Sequence, residues 1–242
     1  MSVDLYGYVI ISDIEKDTLI KERKDTDVNN RLTERFNEIG IVPVIVLENP
    51  DRAETLADTL CRGGLPCAEI TFRTGAAAEA IRRMKATRPD MLVGAGTVLT
   101  TAQVDSAIDA GAEFIVSPGI NPRTVSYCLE RGIPVIPGTQ TPSEMELALS
   151  FGLETVKFFP AEPAGGLAMI KAVAAPFTSL RFMPTGGINA GNVKNYLEYD
   201  RILACGGSWM VSGELIDKGD FDEIFRRTSE AAEIVKYIRC RC

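Results

Sequence analysis

Residues Ile133 to Phe159 read IPVIPGTQTPSEMELALSFGLETVKFF. The first apolar run, Ile133 to Pro137, is too short for a helix and has the length of a buried strand. Thr141-Pro142 then marks a helix start, because threonine can cap the first free N–H groups and proline has no N–H to leave unpaired. Apolar residues continue at helical length to Gly152, a stop, and a second short apolar run follows from Glu154 to Phe159. The stretch is therefore strand, helix, strand, and two strands joined through a helix lie parallel.

The same unit recurs in both directions. Strand-like runs are IVPVIVL (41–47), CAEITF (67–72), MLVGAG (91–96), EFIVSP (113–118), IPVIP (133–137), ETVKFF (154–159), RFMPT (181–185) and ILACGG (202–207), eight in all. Helix candidates between them are PDRAETLADTLCRGG, TTAQVDSAIDAG, NPRTVSYCLERG and TPSEMELALSFG, each with a Thr, Asn or Pro start and a glycine stop. Eight such units, with strands apolar enough to be covered on both faces, predict an α/β chain folded as a (β/α)8 TIM barrel. A doubly wound sheet is the alternative, and it lacks a GxGxxG or Walker pattern after any strand.

Composition bounds the function. The 242 residues are 45% hydrophobic and 24% charged, enough for a core of barrel size. A formal charge of −7 argues against a nucleic-acid partner, which calls for clustered Lys and Arg. No apolar run approaches the roughly 18 to 20 residues of a membrane helix, and MSVDLYGYVIISDIEKD has neither a basic n-region nor a small-residue cleavage site. A cytoplasmic protein without a membrane partner is expected. Cys61, Cys67, Cys128, Cys205, Cys240 and Cys242 form no CxxC pair and read as free thiols. The chain has no histidine, which excludes Ser-His-Asp and Cys-His nucleophile systems, imidazole zinc sets and a histidine base. Chemistry must rest on carboxylates, lysine, arginine, hydroxyls or backbone.

The N-terminus stands apart. Eleven of the nineteen residues from Asp13 to Arg31 are charged, a solvated pattern, although YGYVIIS ahead of them can form a strand. Leu32, Phe36 and Ile39 recur at helical spacing and predict a short helix closing the barrel's bottom. Residues 1–29 are thus read as a charged extension of unknown role and 30–242 as the barrel.

Reactive groups of a barrel come from the C-terminal ends of its strands. The period-2 pleat places Cys67, Glu69, Thr71 and Arg73 on one side of the second strand, opposite the apolar Ala68, Ile70 and Phe72. In the sixth strand the same parity turns Thr155, Lys157 and Phe159 inward and Val156 and Phe158 outward. A carboxylate and an amine then share the mouth. The plainer reading is an internal ion network of Glu69, Arg73 and Lys157, a weak source of stability. The functional reading makes the inward lysine a nucleophile that forms a Schiff base with a ketone.

These residues resemble a known family. CAEITFRT, VGAGTVLT, SPGI, IPVIPGTQTPSE, VKFFPAE, MPTGGI and GGSWMV, seven separated motifs in order between about residues 36 and 235, are similar to the 2-keto-3-deoxy-6-phosphogluconate (KDPG) aldolases, class I enzymes also active on 4-hydroxy-2-oxoglutarate (KHG). The resemblance implies a (β/α)8 barrel, a homotrimer, and cleavage of a 2-keto-4-hydroxy acid to pyruvate and an aldehyde without a metal or other cofactor. The partners it implies are small molecules, a keto acid and a phosphorylated aldehyde. By motif, Lys157 resembles the Schiff-base lysine and Glu69 the acid/base. Arg73 and Thr97 match positions that hold the substrate carboxylate, and Pro118 and Phe159 match the pocket wall. Gly186, Gly187, Gly207 and Ser208 match the phosphate grip, which agrees with glycine-rich turns after the seventh and eighth strands. Two other classes stay in view: an aldolase-derived barrel serving as a structural or assembly scaffold, and a phosphate-binding barrel isomerase or synthase. Keeping Glu69, Arg73 and Lys157 together weighs against a scaffold.

Overall fold

Strands buried on both faces need helices on the outside, and the chain alternates accordingly. The computed structural model describes residues 30–240 and the short strands Ser2–Val3 and Val9–Ile10, which pair with each other antiparallel. Val9–Ile10 falls in the YGYVIIS segment; residues 13–29 of the charged stretch, and Cys242, lie outside the described residues. The chain divides into two units, Met1–Arg35 and Phe36–Cys242.

Among the described residues of the larger unit the strands are β1 (Ile41–Ile45), β2 (Cys67–Thr71), β3 (Leu92–Gly96), β4 (Ile115–Val116), β5 (Val135–Ile136), β6 (Gly138–Thr139), β7 (Thr155–Phe158), β8 (Arg181–Pro184) and β9 (Cys205–Gly207). Six form a sheet in the order β9, β1, β2, β3, β4, β5, and three form another in the order β8, β7, β6. All these pairings are parallel. Every residue of β2 and β3 is buried, as the apolar runs require. The fold is an α/β arrangement on a curled parallel sheet. The runs at 113–118 and 133–137 shorten to two-residue strands because Pro118, Pro134 and Pro137 have no N–H to give the ladder. Pro137 separates β5 from β6, yet its carbonyl still accepts from Lys157 N at 2.9 Å. Single parallel bridges, Phe182 with Ile202 and Thr185 with Gly206, link the chain around β8 to that around β9.

The helices read from the sequence are present. Helix α1 covers residues 30–39, and its Phe36 packs edge to face on Phe114 at a centroid distance of 4.9 Å. Asn49 accepts from Asp51 N ahead of the short turn that enters α2 (Ala53–Arg62). Helix α3 spans Ala77–Thr87. Thr100 and Gln103 close a reciprocal capping box on α4 (Thr101–Asp109), Asn121 caps α5 (Pro122–Glu130), and Thr141 with Glu144 repeats the box on α6 (Pro142–Ser150). The chain continues with α7 (Gly166–Ala174), α8 (Val193–Leu197), α9 (Gly213–Lys218) and α10 (Phe221–Arg239). No helix of the described residues is long and apolar enough to cross a membrane.

Candidate active site

The period-2 reading of β2 and β7 brings two charges together. Lys157 Nζ lies 3.2 Å from Glu69 Oε1, with side-chain exposures of only 8% and 3%. Lys157 sits on β7 in register with Gly138 and Met183, and Glu69 sits on β2 in register with Val44 and Gly94. The ammonium also lies 5.3 Å from the centre of the Phe159 ring, a cation–π distance. No other ion pair joins this one among the described residues, so its charges are compensated by each other.

Glycines make the close approach possible. A Cβ at Gly96 would stand 2.2 Å from Glu69 Oε1, so the carboxylate lies flat across the neighbouring strand where only hydrogen leaves room. Gly96→Ala is expected to push that carboxylate off Lys157 and lower turnover about 10²-fold, in the range of losing a positioned acid/base. Combining it with Glu69→Asp, one methylene shorter, should recover part of the loss; steady-state kinetics of both variants test this. At Gly138 a Cβ would meet Pro118 O at 2.1 Å, and Gly138 pairs with Lys157, so the end of β4 is pressed against the lysine's level. Ser117 holds that corner by donating Oγ to Gly119 O at 2.8 Å.

Thr97 follows Gly96 directly and has a φ of 55°. A β-branched residue in the left-handed region carries of order 1–3 kcal/mol of strain and persists where its surroundings hold it. It marks the end of β3 beside Glu69.

Gly186 and Gly187, with φ of 100° and 84°, follow β8, while Gly207 ends β9 and Ser208 follows it. The Thr185–Gly206 bridge sets the two turns side by side. The backbone N–H groups of Gly186, Gly187, Ser208 and Trp209 donate to no described residue, which leaves four donors for an anion. Ser208 is exposed, and the second turn is anchored where Arg227 Nη1 donates to Trp209 O at 3.0 Å.

Arg73 departs from the sequence expectation. The strand ends at Thr71, the chain turns from Phe72, and Arg73 lies exposed in that turn with no ion pair to the described residues. The pleat's parity stops with the ladder, so the three-membered network of Glu69, Arg73 and Lys157 is reduced to a pair. Sequence reasoning passed over Gly96 and Gly138, although a glycine inside an apolar strand is the usual sign of close approach. It also passed over Glu162, whose stem lies against Gly187, and Tyr196, which donates its hydroxyl to Glu162 Oε1. Among the described residues no three His, Cys, Asp or Glu side chains converge as a metal set.

A family profile described as KDPG and KHG aldolase matches residues 32–227. The chain belongs to this aldolase family. The 2-dehydro-3-deoxy-phosphogluconate aldolase of Haemophilus influenzae is 50% identical over 206 residues, which cover 85% of this chain and 97% of the relative. The KHG/KDPG aldolase of Escherichia coli K12 is 42% identical over 196 residues, 81% of this chain and 92% of that one. Among solved KDPG aldolases, the Zymomonas mobilis enzyme with 3-phosphoglycerate superposes with a TM-score of 0.79 at 38% identity, covering 85% of this chain and 95% of that one. The Legionella pneumophila enzyme, with pyruvate captured as a covalent carbinolamine, has a TM-score of 0.79 at 37% identity and covers 82% and 97%.

Proposed function

We propose that this KDPG/KHG aldolase family member cleaves KDPG or KHG through a Schiff base on Lys157, with Glu69 moving the protons. One observation carries the assignment of residues: the paired, buried Lys157 and Glu69, 3.2 Å apart. Glu69 takes the proton of the Lys157 ammonium, the amine so freed attacks the C2 ketone, and the carbinolamine loses its hydroxyl as water when Glu69 returns that proton. Glu69, now a carboxylate, takes the proton of the C4 hydroxyl as the C3–C4 bond breaks. The bonding pair passes into the enamine and C4 leaves as an aldehyde: glyceraldehyde 3-phosphate from KDPG, glyoxylate from KHG. Protonation of the enamine carbon and addition of water release pyruvate and the amine.

Arg73 and Thr97 are assigned to the substrate carboxylate, with Pro118 and Phe159 as pocket wall and Gly186, Gly187, Gly207 and Ser208 as the phosphate grip. Free backbone donors in the two glycine turns support the last assignment. Ser208→Asp tests it, since the residue is exposed and the change adds charge without filling the core. The variant should raise KM for KDPG by about 10²-fold, of the order expected for a like charge at an anion site. KM for KHG should move several-fold less, and equal shifts for the two substrates would sink the assignment.

With this reading go a closed eight-stranded barrel, supported by the bridges between β8 and β9, an aldolase domain over 30–242, and residues 1–29 as an extension. A cytoplasmic homotrimer is part of the same proposal. Cys61, Cys128, Cys205 and Cys240 are free thiols, as a reducing compartment keeps them. Exposed Leu99 and Tyr237 supply apolar surface for an assembly, and sedimentation measures its size.

A further inference from the structure

Glu162 stands outside the chemistry just described, yet it touches the glycine turn after β8 at two points and Tyr196 at a third. Its backbone N donates to Gly186 O at 3.0 Å. Its stem passes directly beneath Gly187, where a built Cβ would stand 2.6 Å from Glu162 Cβ and 2.7 Å from Cγ. Its carboxylate accepts the hydroxyl of Tyr196, a residue of α8 that is 2% exposed. Gly166, at a φ of 60°, gives this end of the arm its space: a Cβ there would meet Glu162 Oε1 and Tyr196 Oη, each at 3.1 Å. Asn189 and Asn192 donate from their side-chain amides to Gly187 O at 3.2 and 3.0 Å.

A carboxylate beside a phosphate site opposes the ligand's own charge, so its presence calls for a reason. A charged acceptor makes a stronger hydrogen bond than a neutral one and fixes a flexible side chain in one rotamer. We propose that the Glu162–Tyr196 hydrogen bond is a positioning device that fixes the Gly186–Gly187 turn for a phosphate-ended substrate in preference to a carboxylate-ended one. The proposal rests on the assignment of that turn to phosphate. Burial first, and the neighbouring Glu162 second, raise the Tyr196 hydroxyl above its ordinary range, so it stays a donor at working pH.

The test compares KDPG with KHG in Tyr196→Phe, Glu162→Ala and Glu162→Gln. Tyr196→Phe removes only the donor, and KM for KDPG should rise about tenfold, as losing one hydrogen bond to a charged group implies. Neither kcat nor KM for KHG should change, nor the rate of pyruvate trapping at Lys157. Glu162→Ala, on an exposed residue, should reproduce that split even if Tyr196→Phe folds poorly. Glu162→Gln keeps an acceptor oxygen but makes a weaker bond, so KM for KDPG should fall between the parental value and that of Glu162→Ala. The same KM shift for both substrates, or a Gln variant as impaired as Ala, overturns the positioning role. A parent enzyme with no preference for phosphate, and a silent Ser208→Asp, would instead overturn the assignment of the turn and the proposal with it.

Discussion

Lys157→Met is expected to abolish aldol cleavage and covalent trapping of pyruvate while leaving a folded protein. Methionine keeps an apolar stem and removes only the amine, which lies 5.3 Å from the centre of the Phe159 ring. The loss should reach at least about 10³-fold, because a missing nucleophile removes the path itself and not one contribution to it. The fold should survive, at a cost of about 3–5 kcal/mol for leaving the buried Glu69, 2% exposed, without its partner. Circular dichroism and thermal melting check the fold, and single-turnover assays check the rate. Turnover above about a thousandth of the parental rate would contradict covalent catalysis at this residue.

Glu69→Gln is expected to lose about two to four orders of magnitude in turnover, the usual contribution of a positioned acid/base. Two roles for Glu69 predict different kinds of damage. As a mere counter-ion, its replacement would leave a buried ammonium unpaired and cost about 3–5 kcal/mol of stability. As a proton shuttle, it is missed mainly in the rate. The amide has the same shape but exchanges no protons, so the pyruvate adduct at Lys157 should still form, slowly. Deuterium exchange at the methyl group of bound pyruvate, followed by NMR, should slow as well. Exchange and cleavage both near the parental rate would remove Glu69 from the mechanism.

The alternation of short apolar runs with capped helices made the α/β fold and the order of its first six units legible. Those signals are local: Thr100, Asn121 and Thr141 bond their own helix starts. The pairing of Lys157 with Glu69 was legible for a related reason, since parity within each strand fixed which side chains face one another. Arg73 was misplaced because parity holds only while the ladder does, and β2 ends two residues earlier. The short α8 and α9 carry too few turns for a periodic pattern. The meeting of Glu162 with Tyr196, 34 residues apart, depends on how β7 and α8 pack, which no local pattern encodes. The same holds for Glu69 over Gly96: the glycine is visible in the sequence, but what crosses it is not.

The covalent chemistry at Lys157 is tested most directly by incubating the protein with pyruvate, reducing with borohydride and mapping the modified peptide by mass spectrometry. One reduced pyruvate per chain is expected, on the peptide carrying Lys157, and none on the Lys157→Met variant. A label on any other lysine, or no label under conditions where the enzyme turns over, would contradict the Schiff-base assignment.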